Sequence, residues 1–128
     1  MATQSFAKGS RLLNPDDYKG VFDHTHFKVS CRYFLILARY SHQPKTRLGL
    51  IVAKKHIRSA VQRNRLKRLA RNSFRTMGPL PHHLDLVVLV RRDAGKINNQ
   101  QVFDSLTTLW SDVELQCRRK GNKSRPPD

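Results

Sequence analysis

The stretch AVQRNRLKRLARNSFR, residues 60–75, decides the reading of the chain. It holds no acidic residue, no proline and no glycine, and its apolar residues return at helical intervals. With successive side chains about 100° apart, Leu66, Leu69, Ala70, Ser73, Phe74 and Met77 fall on one side of a helix. Arg65, Lys67, Arg68, Arg71 and Arg75 fan over the other side with Asn64 and Asn72, and Arg63 lies at the edge of the apolar stripe. The stripe is expected to pack against a sheet, and GPLP, 78–81, ends the helix because glycine and two prolines do not continue one.

Working outward, RLGLIVAK (47–54) and the β-branched run LDLVVLV (84–90) read as strands on either side of this helix, so 47–90 is a candidate crossover unit. Before it, CRYFLILARY (31–40) reads as a strand followed by the turn SHQPKT, with room for a short strand at 25–31. NPDDYKGVFDH starts with a capping Asn14, Pro15 at the first helical position and Asp16 and Asp17 in the first turn. A short helix over 15–23 follows, with Tyr18, Val21 and Phe22 on one face and Gly20 weakening it. After RRDAGK, Asn98 and Gln101 form a capping box flanked by the Ile97 and Val102 pair. The stripe Val102, Leu106, Leu109, Trp110, Val113 carries that helix to about residue 116.

The chain has 128 residues, 38 % of them hydrophobic, which suits one domain with one modest core. Its formal charge is +16, and 14 Lys or Arg residues with no Asp or Glu separate Asp23 from Asp85. A folded domain usually mixes signs on its surface, so a nucleic acid is the favoured partner over an anionic membrane or a solvated face. Cys31 and Cys117 lack any CxxC or CxxH context and read as free thiols. No signal peptide and no apolar run long enough to span a bilayer is visible, and a cytoplasmic protein with no membrane role is expected. The expected division is a flexible segment over 1–10, one α/β domain over 11–117, and a basic disordered tail over 118–128.

A protein acting alone on a phosphodiester needs a positioned base, a metal cage or both. Asp85, Asp93, Asp104, Asp112 and Glu114 are scattered over a strand, a loop and the last helix, so no local metal cluster and no catalytic residue is assigned. The histidines sit in turns or among cations and read as hydrogen-bonding or weak phosphate partners. The basic patch is the positive signal. Lys54 and Lys55 end a strand, Arg58 lies in the connection, and the amide groups at the helix start add positive potential. Such a surface positions a nucleic acid backbone, and charge alone does not separate RNA from DNA.

GLIVAKKHIRSAVQRNRLKRLARNSFR, 49–75, closely resembles the segment of the bacterial ribonuclease P protein family that runs from a central strand into its Arg-Asn-Arg helix. The double lysine, the Ala-Val, the Arg63-Asn64-Arg65 triplet and Lys67, Arg68 and Arg71 occur in one register, and the likeness runs from RLLNPDDYKGVF to the last helix. The resemblance implies a compact two-layer α/β sandwich of order α-β-β-β-α-β-α with a left-handed βαβ crossover, opposite to the hand the general rule favours. It implies one protein per catalytic RNA subunit, an endoribonuclease that hydrolytically removes the 5′ leader from precursor tRNA, and magnesium held mainly by the RNA and substrate. A different class of reading is a non-catalytic RNA-binding or ribosome-associated protein. Carried over residue by residue, Lys54, Lys55, Arg58, Arg63, Asn64, Arg65, Lys67, Arg68 and Arg71 meet the catalytic RNA. Tyr18, Phe22, Leu35 and Leu37 line a leader groove, with core packing the competing reading for Tyr18 and Phe22. Some members carry an aromatic residue where this chain has Leu37, and the segment DHTHFKVS lacks a glycine common there.

Overall fold

Proline at the first helical position and two aspartates in the first turn start α1, Pro15–Asp23. The computed structural model describes residues 15–41, 45–77 and 80–123, so the expected cap Asn14, His42 of the expected turn and Gly78 and Pro79 of the helix stop lie outside the described residues. After α1 come β1 (Phe27–Ser30), β2 (Phe34–Tyr40), β3 (Arg47–Ile51), α2 (Ala60–Thr76), β4 (Leu84–Val90), a 3-10 turn (Arg92–Lys96) and α3 (Asn99–Lys123). This is the expected α-β-β-β-α-β-α order, with the additional short strand present as β1.

Three boundaries differ from expectation, each for a local reason. The 31–40 strand starts only at Phe34, because the Cys31 amide closes a turn on the Phe34 carbonyl at 2.9 Å. The 47–54 strand stops at Ile51, since His56 and Ile57 both donate to the Ala53 carbonyl and turn the chain. The last helix passes residue 116 and reaches Lys123, so 118–123 of the expected tail is helical. Cys117 extends the buried stripe by one further step of four from Val113, and the Tyr40 hydroxyl donates to its carbonyl at 3.3 Å.

The sheet runs β1-β2-β4-β3. β2 is antiparallel to both its neighbours, whereas β3 and β4 are parallel and joined through α2. Strand alternation divides the side chains between two faces. Phe34, Ile36, Ala38, Leu48, Leu84, Leu86, Val88 and Val90 join Leu66, Leu106, Leu109 and Val113 in the main core under α3. Leu66 and Ala70 of α2 are buried in the same core as the sheet residues Leu48 and Leu86, as its stripe is expected to be, and the helix also packs closely on α3. Ser73 explains the contact: it is fully buried, and its hydroxyl accepts a 2.7 Å hydrogen bond from Trp110 Nε1, while Phe74 meets the same indole edge to face.

The other face carries α1, which packs on β2 and β4. Three cross-strand rows lie here. Leu37, Val87 and Gly49 form the middle row, and Val21 packs on it in a small second core. Arg39, Asp85 and Arg47 form the next row. Asp85 is 4 % exposed and accepts two 3.0 Å hydrogen bonds from the Arg47 guanidinium, which also reaches Asp17 of α1 at 3.5 Å. Hydrogen bonding to Asp85 pushes the Arg47 pKa up, against the opposing effect of burial. At Gly20, helix-weakening by propensity, the tip of the Arg39 side chain lies where a β-carbon would stand.

Replacing Ser73 by alanine leaves the buried Trp110 N–H without an acceptor and is expected to cost about 1–3 kcal/mol. Urea denaturation followed by fluorescence checks this directly, because Trp110 is the chain's single tryptophan. Replacing Asp85 by alanine removes both hydrogen bonds of a mostly buried guanidinium and leaves it only the longer pair with Asp17, with an expected loss on the order of 3 kcal/mol. Amide exchange in 15–23 should rise more than in α3, since Arg47, no longer fixed by Asp85, holds Asp17 of α1 less firmly.

Candidate nucleic-acid interface

The loop between β3 and α2 builds the first part of the site. Ile57 is 5 % exposed and anchors the loop in the main core, which throws Lys54, Lys55 and Arg58 out to solvent. Ser59 caps α2, its hydroxyl accepting from the Gln62 amide at 3.3 Å. Arg63 bends back and donates to the Ile57 and Arg58 carbonyls at 3.0 and 2.8 Å. One arginine of the Arg-Asn-Arg triplet therefore braces the loop that presents the lysines.

Arg65 also departs from its expected place on the solvent side. It is half-buried and donates to Gln62 Oε1 at 2.7 Å, to Asn99 Oδ1 at 2.5 Å and to the Ile97 carbonyl at 3.3 Å, tying α2 to the start of α3. Asn64 and Arg68 are exposed, while Lys67 and Arg71 are half-buried. Val61, 75 % exposed, stands on the same face one turn before Arg65 and two before Arg68. Among the described residues Lys54, Lys55, Arg58, Lys67 and Arg68 have no carboxylate partner. Asp93 is engaged elsewhere: Arg32 and Lys96 hold it, and its hydrogen bond from Arg32 keeps its carboxyl below the usual carboxylate range.

The second part lies on the α1 face, beyond the helix. The third cross-strand row, Leu35, Leu89 and Ile51, floors an open groove of about 420 Å³. Ala53, Lys55, His56, Val90, Arg91 and Arg92 complete its walls, with Lys55, Arg91 and Arg92 exposed. Of the expected groove residues, Leu35 is on the floor. Leu37 is not: it is 9 % exposed beneath α1, packed with Val21 and Val87. Tyr18 is half-buried against that small core and the same apolar row, whereas Phe22 is 44 % exposed and is not core. Ile51, Leu89, His56, Arg91 and Arg92 were not singled out from sequence as groove residues, although two arginines directly after a buried strand were a visible signal.

An apolar floor rimmed by cations accepts the bases of a single strand while its phosphates meet the rim. Among the described residues no group of three or more His, Cys, Asp or Glu side chains is placed to hold a metal ion, and no helix is long and apolar enough to cross a membrane. Cys31 and Cys117 are free thiols.

Residues 6–114 match the model of the family Ribonuclease P. The ribonuclease P protein component of Marinobacter nauticus is 44 % identical over 119 residues, covering 93 % of this chain and 89 % of that protein. That of Pseudomonas putida is 44 % identical over 110 residues, 86 % of this chain and 82 % of the relative. The solved RNase P protein of Staphylococcus aureus superposes with a TM-score of 0.76 at 26 % identity, covering 84 % of this chain and 97 % of its own. That of Thermotoga maritima gives 0.71 at 29 % identity, covering 81 % of this chain and 97 % of its own. Sequence and architecture agree over most of the length, and the chain belongs to the ribonuclease P protein component family, the protein subunits of the ribonucleoprotein enzyme that processes transfer RNA.

Proposed function

We propose that this chain binds the catalytic RNA subunit through Lys54, Arg58, Asn64, Lys67 and Arg68, and holds the 5′ leader of precursor tRNA in the groove floored by Leu35, Leu89 and Ile51. The observation that carries this reading is the uncovered apolar row with unpaired cations on its rim, a few residues from the basic helix. Arg63 and Arg65 act in this reading as braces that set the geometry of the contact surface. Hydrolysis of the phosphodiester belongs to magnesium held by the RNA and the substrate, one protein serving one catalytic RNA in the cytoplasm. The protein reduces repulsion between two polyanions and orients the substrate.

The deciding experiment incubates precursor tRNA and magnesium with the protein alone, with the catalytic RNA alone and with both. Release of an intact leader that depends on the RNA and is enhanced by the protein supports the proposal. Cleavage by the protein alone overturns the division of labour.

Three substitutions separate the roles of the arginines and of Phe22. Arg68→Ala should lower affinity for the catalytic RNA and reduce the salt slope by about 0.9 for each phosphate it no longer neutralises, with the urea midpoint unchanged. Arg63→Ala should instead destabilise the fold by about 1–3 kcal/mol, because two carbonyls lose a charged donor. Phe22→Ala should leave stability near normal, as the ring is 44 % exposed. In the holoenzyme it should weaken binding of precursors with long leaders on the order of tenfold and spare leaderless ones, if a base stacks on the ring. Equal loss for both substrates would remove Phe22 from the leader path.

A further inference from the structure

The groove has a counterpart on the opposite face of the same sheet end. There the β1–β2 turn and α3 border an open cavity of about 300 Å³, lined by Arg32, Tyr33, Ser105, Thr108, Leu109 and Asp112. The two openings are connected through β4. Val90 pairs with Phe34, the Arg91 amide donates to the Tyr33 carbonyl at 2.8 Å, and Asp93 holds Arg32 Nε at 2.9 Å. Arg91 and Arg92 line the groove, and the very next residue anchors a wall of the cavity.

Their chemistry is opposite. The groove rim has exposed cations with no ion pair among the described residues, which suit phosphates. In the cavity the one cation, Arg32, is already neutralised by Asp93, while Asp112 is exposed and makes no ion pair among the described residues. An unpaired carboxylate repels a phosphate and calls for N–H donors. The half-buried Tyr33 ring, the exposed Arg32 guanidinium and the hydroxyls of Ser105 and Thr108 suit a nucleobase taken out of its stack. Thr108 Oγ1 already donates to the Asp104 carbonyl at 3.1 Å, so its remaining capacity is to accept. Asp112 and Thr108 together therefore favour a donor-rich edge.

We infer that this cavity takes the base of one unpaired leader nucleotide, guanine by preference, as the strand leaves the groove past Arg91 and Arg92. Guanine is the base whose Watson–Crick edge offers adjacent N1–H and N2–H donors, and one carboxylate accepts both in parallel. The inference rests on the leader-groove reading above and adds a distal, base-selective subsite to it.

The test uses the reconstituted holoenzyme and precursor tRNAs with leaders of uridine only, in a series of lengths, and then with a single guanosine stepped along the longest one. Guanosine at one position distal to the groove should tighten binding on the order of tenfold, the scale of one good bidentate contact. Inosine there, lacking the 2-amino group, should recover only part of the gain. Asp112→Asn should abolish the preference while affinity still rises with leader length. If length matters but no position favours guanosine, or if Asp112→Asn keeps the preference, the subsite is wrong and the groove stands. If length has no effect in the unaltered holoenzyme, both readings fall. A loss on Asp112→Asn that is equal for leaderless precursors would assign the cavity to a different contact and overturn the inference.

Discussion

A helix of nine residues is too short to cover the sheet face on which it lies. α1 has nine residues, about 13 Å of helix, whereas β2 and β4 have seven each, about 23 Å of strand. The 25 residues of α3, about 37 Å, leave no such deficit on the other face. On the short side, Val21 closes over Leu37 and Val87, and the row Leu35, Leu89 and Ile51 is left open. The Arg47 guanidinium decides which end stays open: hydrogen-bonded to Asp85 and ion-paired with Asp17, it holds α1 toward the charged row and away from the apolar one. The groove is thus a consequence of helix length and one mostly buried ion pair.

The cationic side chains divide into two kinds by what their charged groups touch. Arg47, Arg63 and Arg65 each bond to groups of the protein itself, and each joins two elements or closes a loop. A planar fork with five donors can do this where an ammonium group would satisfy fewer directions. Lys54, Lys55, Arg58, Lys67 and Arg68 form no ion pair with a carboxylate among the described residues. Holding the first kind rigid fixes the spacing of the second, which lowers the cost of ordering a charged surface against a polyanion. Membership of the ribonuclease P protein family accounts for why a chain of +16 keeps such a surface and places few carboxylates near it.

Much of this is legible in the chain alone. The capping box is a three-residue relation, and Asn98 and Gln101 do exchange their hydrogen bonds at 2.8 and 3.0 Å. The apolar stripe of α2, the Pro15 start and the run 84–90 depend on periodicities of 3.6 and 2, which the chain carries within each segment. The Arg-Asn-Arg register and the absence of acidic residues between Asp23 and Asp85 likewise need no third dimension, so element order, family and the sign of the partner's charge were within reach of the sequence.

The fate of individual side chains was not. Leu35 and Leu37 are two residues apart on one strand and share a face, yet one floors a groove and the other is buried under α1. Alternation specifies the face of a sheet and says nothing about how far along it a helix reaches. Arg65 and Arg68 both lie on the cationic side of the α2 wheel, but only Arg65 meets Asn99 and Ile97, because α3 starts there. A wheel gives direction, not the neighbour in that direction. By itself the sequence determined the elements, their faces and the charge; the tertiary structure alone decided which residues remain open, since that depends on contacts between segments distant in the chain.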